Sequence, residues 1–148
     1  MLFLAADHRG FTLKEKIKTY LFLKKVVYED LGAVELKPGD DYPDYARLLA
    51  EKVLGYKDNV GIALCGSGAG MNIVLNKFDG IRAGVGENPD MITAQRRDDN
   101  INVLVIPTDF VNDTDAYLMV DRFLHETFKS DPKYQRRLNK IKVIEQGN

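Results

Sequence analysis

Cysteine is nearly absent from this chain. One residue in 148, Cys65, carries a thiol, so no internal disulfide can form and the fold must rest on a buried core, which a chain of this length can build. Long apolar runs are absent too. No stretch approaches the roughly 18–20 apolar residues of a membrane span, and the start MLFLAADHRG lacks the basic segment that precedes the apolar part of a secretory signal. A charge bias is also missing: 21 Lys and Arg face 22 Asp and Glu, for a formal net charge of -1, which provides no global attraction to nucleic acid or an anionic membrane. These absences point away from secreted, membrane and nucleic-acid-binding classes. The expectation is a cytoplasmic protein whose partner is a small molecule or another protein. With 45% hydrophobic and 29% charged residues, the composition suits one domain over residues 1–148.

Five short apolar segments bounded by Gly, Asp or Pro read as buried strands: LFLAA (2–6), VVYE (26–29), VGIALC (60–65), IRAGVG (81–86) and NVLVI (102–106). Helix-length segments alternate with them. In the first, Thr12 and Glu15 have capping-box spacing, and Leu13, Ile17 and Leu21 recur at i, i+4. Residues 44–55, 69–77 and 89–97 supply the next three helices. Ala116, Val120, Phe123, Leu124 and Phe128 form the apolar face of a fifth helix, and Leu138, Ile141 and Ile144 that of a sixth. Alternation of this kind predicts an α/β fold: a three-layer αβα sandwich on a five-stranded parallel, Rossmann-like sheet of order 2-1-3-4-5 with C-terminal helices. LKPGDDYP (36–43) reads as a loop near the sheet edge.

Ligands of such sheets collect beyond the carboxyl ends of the strands, where the strand order reverses. Two polar segments fall there. DHRG (7–10) follows the first strand and GSGAG (66–70) the third, which brings Asp7 and His8 close to the lone thiol. Glycines allow a tight turn and close approach of a ligand to backbone N–H groups. Named phosphate motifs fit poorly. A phosphate-binding nucleotide loop needs Lys and then Ser or Thr where Met71 and Asn72 stand. A dinucleotide fingerprint needs a small residue at 71, although Glu87 lies at a suitable distance for a ribose contact. A cysteine-phosphatase loop needs an arginine six positions after the thiol, where Met71 stands again. What remains is a thiol at a strand end, a hydroxyl at Ser67 and a backbone-lined anion site. A cation or helix start nearby lowers a thiol pKa and makes Cys65 a base. The plain alternatives stay open: a small buried hydrophobe at Cys65, a tight turn at GSGAG, a turn cap at Asp7 and a hydrogen-bonded loop imidazole at His8.

Taken together, ADHRG, DDYPDYA (40–46), LCGSGAGMNIVLNK (64–77), GIRAG (80–84), NVLVI and the basic last helix resemble the type B ribose-5-phosphate isomerase family, which also contains the galactose-6-phosphate isomerase subunits. The resemblance implies an aldose-ketose isomerase of a small sugar phosphate that uses no metal and no cofactor and works as a homodimer or homotetramer. By the same resemblance Cys65 is the base that moves a proton between C1 and C2. Ser67, Gly66 and the N–H groups of Gly68, Ala69, Gly70 and Met71 form the pocket for the enediolate oxygens. Asp7 contacts hydroxyls near the reacting end and Tyr42 lines the pocket. His8, Lys133 and Arg137 stand near the phosphate. Asp98 and Asp99 occupy the turn where ribose-5-phosphate-specific relatives carry His-Asn, the His serving to open the sugar ring, so Asp98 is the counterpart of a catalytic residue and Asp99 of a binding one. Asp109 stands where many relatives place a phosphate-contacting Arg, a change that Arg9, Arg96 or Arg97 must offset if phosphate is bound. Lys133 likewise replaces an Arg, exchanging a bidentate contact for a point charge. The rival reading is a non-catalytic sugar-phosphate-binding protein, or one subunit of a heteromeric isomerase.

Overall fold

The computed structural model describes residues 1–147. The chain alternates β1 (Leu2–Ala6), α1 (Phe11–Leu23), β2 (Tyr28–Asp30), α2 (Tyr42–Leu54), β3 (Val60–Cys65), α3 (Ala69–Leu75), β4 (Ala83–Val85), α4 (Pro89–Asp99), β5 (Val103–Pro107), α5 (Asp113–His125) and α6 (Pro132–Glu145). All strand pairings are parallel. Alternate strand residues face opposite layers, as a side-chain period of two requires. Leu2, Leu4, Ile62, Leu64, Leu104 and Ile106 pack under α1, α4 and α5. Phe3, Ala5, Ala63, Cys65, Val103 and Val105 pack under α2 and α3. These are the three layers expected from the sequence.

The strand order is β2-β1-β3-β5-β4, which corrects the expected 2-1-3-4-5 at its last two positions. The reason is hydrophobicity. β5, Val-Leu-Val-Ile-Pro, is buried throughout and suits an interior place with a neighbour on each side. β4 is three half-buried residues, Ala-Gly-Val, and suits an edge. That edge is covered by side chains. Asn76 accepts from the Ala83 N–H and donates to the Ala83 carbonyl, both at 3.0 Å, and Gln95 Nε2 donates to the Val85 carbonyl at 3.1 Å.

The start of α1 also differs from expectation. Its N-cap is Gly10, with no side-chain cap, and Glu15 bonds Lys18 instead of reaching back as a capping box does. The displacement has a packing cause: a Cβ on Gly10 would lie 2.4 Å from the Leu64 carbonyl oxygen. Only glycine lets the first helix start against the end of β3. The last helix departs in another way. α6 has no buried residue and leaves Ile141, Val143 and Ile144 exposed, so within one chain its apolar face is uncovered. No helix is long and apolar enough to cross a membrane among the described residues.

Candidate active site

From β1 the chain turns outward to edge strand β2 and then returns to β3 on the other side, with α1 and α2 on opposite faces of the sheet. The carboxyl ends of β1 and β3 therefore open into a crevice. Cys65 ends β3 and is 4% exposed. The next three residues turn sharply, with Gly68 at φ 76, a left-handed conformation natural only to glycine. This turn aims the N–H groups of Gly68 and Met71 at the thiol. Burial pushes the Cys65 thiol above its ordinary value. The two N–H groups and the Arg9 guanidinium favour the thiolate, and the Asp7 carboxylate opposes it. The helix start and the cation that the sequence places nearby do lower this pKa, but in the packed crevice desolvation outweighs them. The Met71 side chain lies wholly in the core, so its share of the site is its backbone.

Ser67 is exposed beside the thiol, its Oγ accepting from the Ala69 N–H at 3.4 Å. The Tyr42 ring, at the start of α2, lies so close over Gly70 that a Cβ there would sit 2.6 Å from the ring. Asp7 is 4% exposed, and its Oδ1 accepts from the N–H groups of Arg9 at 3.0 Å and Gly10 at 2.9 Å. Burial raises the Asp7 pKa against those two bonds. The structure thus brings Asp7, His8, Tyr42, Cys65, Gly66, Ser67, Gly68, Ala69, Gly70 and Met71 into one crevice. A cleft of about 440 Å³ adjoins it, lined by Ser67, Val85, Glu87, Pro107, Phe110 and Val111.

Two supports were not singled out from the sequence. Asp40 Oδ1 accepts from the His8 N–H at 2.8 Å and meets His8 Nδ1 at 2.7 Å. Burial alone would raise the Asp40 pKa, but His8 and Tyr45 together hold it below the usual carboxylate range. The His8 ring is thereby oriented by a residue 32 positions away. Lys14 is fully buried and donates to Asp30 Oδ1 at 2.5 Å, Asp30 Oδ2 at 2.7 Å and the Ala33 carbonyl at 2.7 Å. It ties α1 to the loop that carries Asp40. A lysine at an otherwise apolar position of α1, with Leu13 and Ile17 beside it, was the available signal for Lys14. Asp40 opens the DDYPDYA stretch, but nothing local marked it as the partner of His8.

Asp98, Asp99, Lys133 and Arg137 lie elsewhere. α4 leaves the carboxyl end of the sheet and runs 11 residues back towards the start of β5, about 16 Å of helix. Asp98 and Asp99 close it at the far pole, where α6 begins. Arg97 grips Asp98 through Nε at 2.7 Å and Nη2 at 3.1 Å, which holds the Asp98 pKa below its ordinary value, with Tyr134 and Lys133 adding to the effect. Lys133 and Arg137 flank the Tyr134 ring at 4.8 and 5.8 Å. A single chain does not bring these four residues to Cys65. Among the described residues, no cluster of three or more His, Cys, Asp or Glu side chains is arranged to hold a metal ion.

The thiol, hydroxyl and glycine turn thus stand at the switch point, where open parallel α/β sheets hold small ligands. The chain belongs to the ribose/galactose isomerase family, whose sequence profile matches residues 2–141. A probable ribose-5-phosphate isomerase B of Mycoplasma genitalium is 38% identical over 141 residues, 95% of this chain and 92% of that protein. The ribose-5-phosphate isomerase B of Escherichia coli is 36% identical over 140 residues, covering 95% of this chain and 93% of that protein. The crystal structure of the Mycoplasma genitalium ribose-5-phosphate isomerase B with bound ribulose-5-phosphate superposes with a TM-score of 0.94 at 37% identity, covering 99% of this chain and 97% of that one.

Proposed function

We propose that this protein interconverts a small aldose phosphate and its ketose phosphate through an enediolate, with Cys65 as the base. The observation that carries the reading is the thiol itself: buried at the switch point, met by two backbone N–H groups and adjoined by Ser67 and Asp7. In the forward direction the Cys65 thiolate takes the proton from C2 of the open-chain aldose. The electron pair left behind forms the C1–C2 double bond, and the carbonyl oxygen becomes an oxyanion. The C2 hydroxyl passes its proton to the O1 oxyanion, and as the electrons of that O2–H bond make the C2 carbonyl, the C1–C2 double-bond pair takes the proton back from the thiol at C1. The N–H groups of Gly68 and Met71 stabilise the thiolate, which leaves Ser67 and the N–H groups of Ala69 and Gly70 to hold the enediolate oxygens. Each well-placed donor of that kind is worth about 3–4 kcal/mol. The relatives' names as ribose-5-phosphate isomerases, and the ribulose-5-phosphate held by one of them, support a sugar phosphate as substrate.

A second copy of the chain completes the site in this account. Asp98, Asp99, Lys133 and Arg137 are remote from Cys65 in one chain, and α6, which carries the two basic residues, leaves its apolar face uncovered. A homodimer in which the α4–α6 pole of one chain reaches the crevice of the other satisfies both facts. Two experiments test the proposal. Pentose, tetrose and hexose phosphates are screened with their free sugars for aldose-ketose conversion; conversion of at least one phosphate is expected, and binding without turnover of any supports a non-catalytic protein instead. Sedimentation of the full chain is expected to give a dimer or tetramer, and a fully active monomer contradicts the shared site.

A further inference from the structure

A sugar phosphate needs a cation in the crevice, and the second position past β5 holds the anion Asp109. Three arginines could take over. Arg96 is engaged in the interior, with Nη1 donating to the Ile101 carbonyl and the guanidinium 5.0 Å from the Phe123 ring. Arg97 is occupied by Asp98 at the far pole. Arg9 alone stands at the crevice. Its guanidinium crosses the backbone between Cys65 and Ser67 so closely that a Cβ on Gly66 would lie 2.4 Å from both Cζ and Nε and 2.8 Å from Nη1. On the far side its Nη2 is ion-paired with Asp109.

This bridge spans the ends of β1, β3 and β5 and is secured by the main chain. The Asp109 N–H donates to the Gly66 carbonyl at 3.0 Å and the Thr108 N–H to the Cys65 carbonyl at 3.0 Å. Thr108 Oγ1 lies 3.2 Å from the Arg9 carbonyl, to which it donates. Asp109 thus fixes the guanidinium plane through one nitrogen. Nε and Nη1 meet no protein acceptor among the described residues, and the Arg9 side chain is 55% exposed. Asp109 takes one of the two Nη2 N–H groups; the second, with the neighbouring N–H of Nε or Nη1, forms a fork suited to bidentate binding of an oxyanion. Because Asp109 balances its charge, the pair attracts diffuse anions weakly and favours one that meets the free edge directly.

We propose that Arg9, held in place by Asp109, binds the substrate's phosphate and sets the preference for phosphorylated over free sugars; the inference rests on the sugar-phosphate reading of the same crevice. The test compares the native chain with Arg9→Met and Arg9→Lys, using the best sugar phosphate from the screen, its free sugar and inorganic phosphate as a competitor. Loss of a charge-assisted contact to phosphate is expected to raise KM for the sugar phosphate and Ki for inorganic phosphate about 10- to 100-fold in Arg9→Met. Because the Arg9 guanidinium also favours the Cys65 thiolate, kcat for the sugar phosphate and for the free sugar should fall by a common factor, and the phosphate contact is read from the further loss in KM and Ki that the free sugar does not share. Arg9→Lys, which keeps the charge but loses the fork, should fall between the two and carries the test if the methionine variant does not fold. Unchanged KM and Ki in a folded variant overturn the inference while leaving the isomerase reading standing. A native chain that turns over no sugar defeats that reading, and calorimetric titration of the native and variant chains with inorganic phosphate still decides the role of Arg9: equal affinities overturn it.

Discussion

Two glycines of the crevice invite the same perturbation with different outcomes. A Cβ on Gly10 and a Cβ on Gly66 would each lie 2.4 Å from the nearest atom, well inside van der Waals contact. At Gly10 that atom is the Leu64 carbonyl oxygen, and the Leu64 carbonyl carbon and Cβ follow at 2.6 and 2.7 Å. These belong to a central strand paired on both sides, so the helix start must move. Gly10 has φ -83 and ψ -15, which alanine adopts freely, and the cost is therefore one of packing. Overpacking of this kind costs about 1–3 kcal/mol, and loss of the 2.9 Å bond from the Gly10 N–H to Asp7 adds about 1 kcal/mol. Gly10→Ala should lower Tm by about 6–12 °C, at roughly 3 °C per kcal/mol for a domain of this size. At Gly66 the obstructing atoms are the mobile end of Arg9, which can swing into solvent. Gly66→Ala should shift Tm by less than about 3 °C while displacing the guanidinium from Asp109 and raising KM for a sugar phosphate. Differential scanning calorimetry with steady-state kinetics measures both. A Gly10→Ala melt within about 2 °C of the native chain, or a Gly66→Ala loss as large as that of Gly10→Ala, refutes the reasoning.

Three further outcomes follow from the same geometry. With a thiolate as base and a thiol pKa raised by burial, log kcat/KM should climb with pH through and above neutrality; the facing charges are Asp7, whose carboxylate moves the climb to higher pH, and Arg9, which moves it lower, so a flat or falling profile there contradicts a thiolate base. Lys14→Met should destabilise the fold by about 3 kcal/mol in urea denaturation, near the lower limit for breaking a buried pair because Lys18 still reaches Asp30 at 2.7 Å, and an unchanged midpoint would show the pair to be dispensable. Asp98, kept ionised by Arg97, can accept a proton from an anomeric hydroxyl but has none to give a ring oxygen, so the native chain should favour a tetrose phosphate over ribose 5-phosphate in kcat/KM and Asp98→His should move the ratio towards the ring sugar; a native preference for ribose 5-phosphate that the substitution weakens refutes this role.

Much of the fold was legible because its signals are local. Leu2–Ala6 and Val60–Cys65 coincide with the apolar runs that mark them, since a strand buried on both faces needs continuous hydrophobicity. The second strand slid from 26–29 to Tyr28–Asp30, as its register is set by pairing with Leu2–Leu4 and not by its own composition. The exchange of β4 and β5 was readable in principle from Arg82 and Gly84 against Val103–Ile106, since the more continuous apolar strand takes the inner place. The crevice residues of DHRG and CGSGAG came through because a strand end plus glycine is a local pattern. The partners of those residues did not. Asp40 reaches His8 and Asp109 reaches Arg9 only through tertiary folding, across 32 and 100 positions of sequence. The balance at Cys65 is hidden for a related reason: the helix start and the cation are visible in the sequence, whereas the depth of burial that outweighs them is a property of the packed crevice.

Solvent exchange reports directly on proton transfer by Cys65. The native chain and Cys65→Ala are incubated in deuterium oxide with the sugar phosphate that the screen identifies, and deuterium at the transferred position is followed by NMR alongside calorimetric titration of the same ligand. Incorporation with turnover is expected in the native chain, and loss of both by at least about three orders of magnitude in Cys65→Ala, with ligand affinity within a few-fold of native. Deuterium incorporation at an undiminished rate in the folded alanine variant would contradict Cys65 as the base.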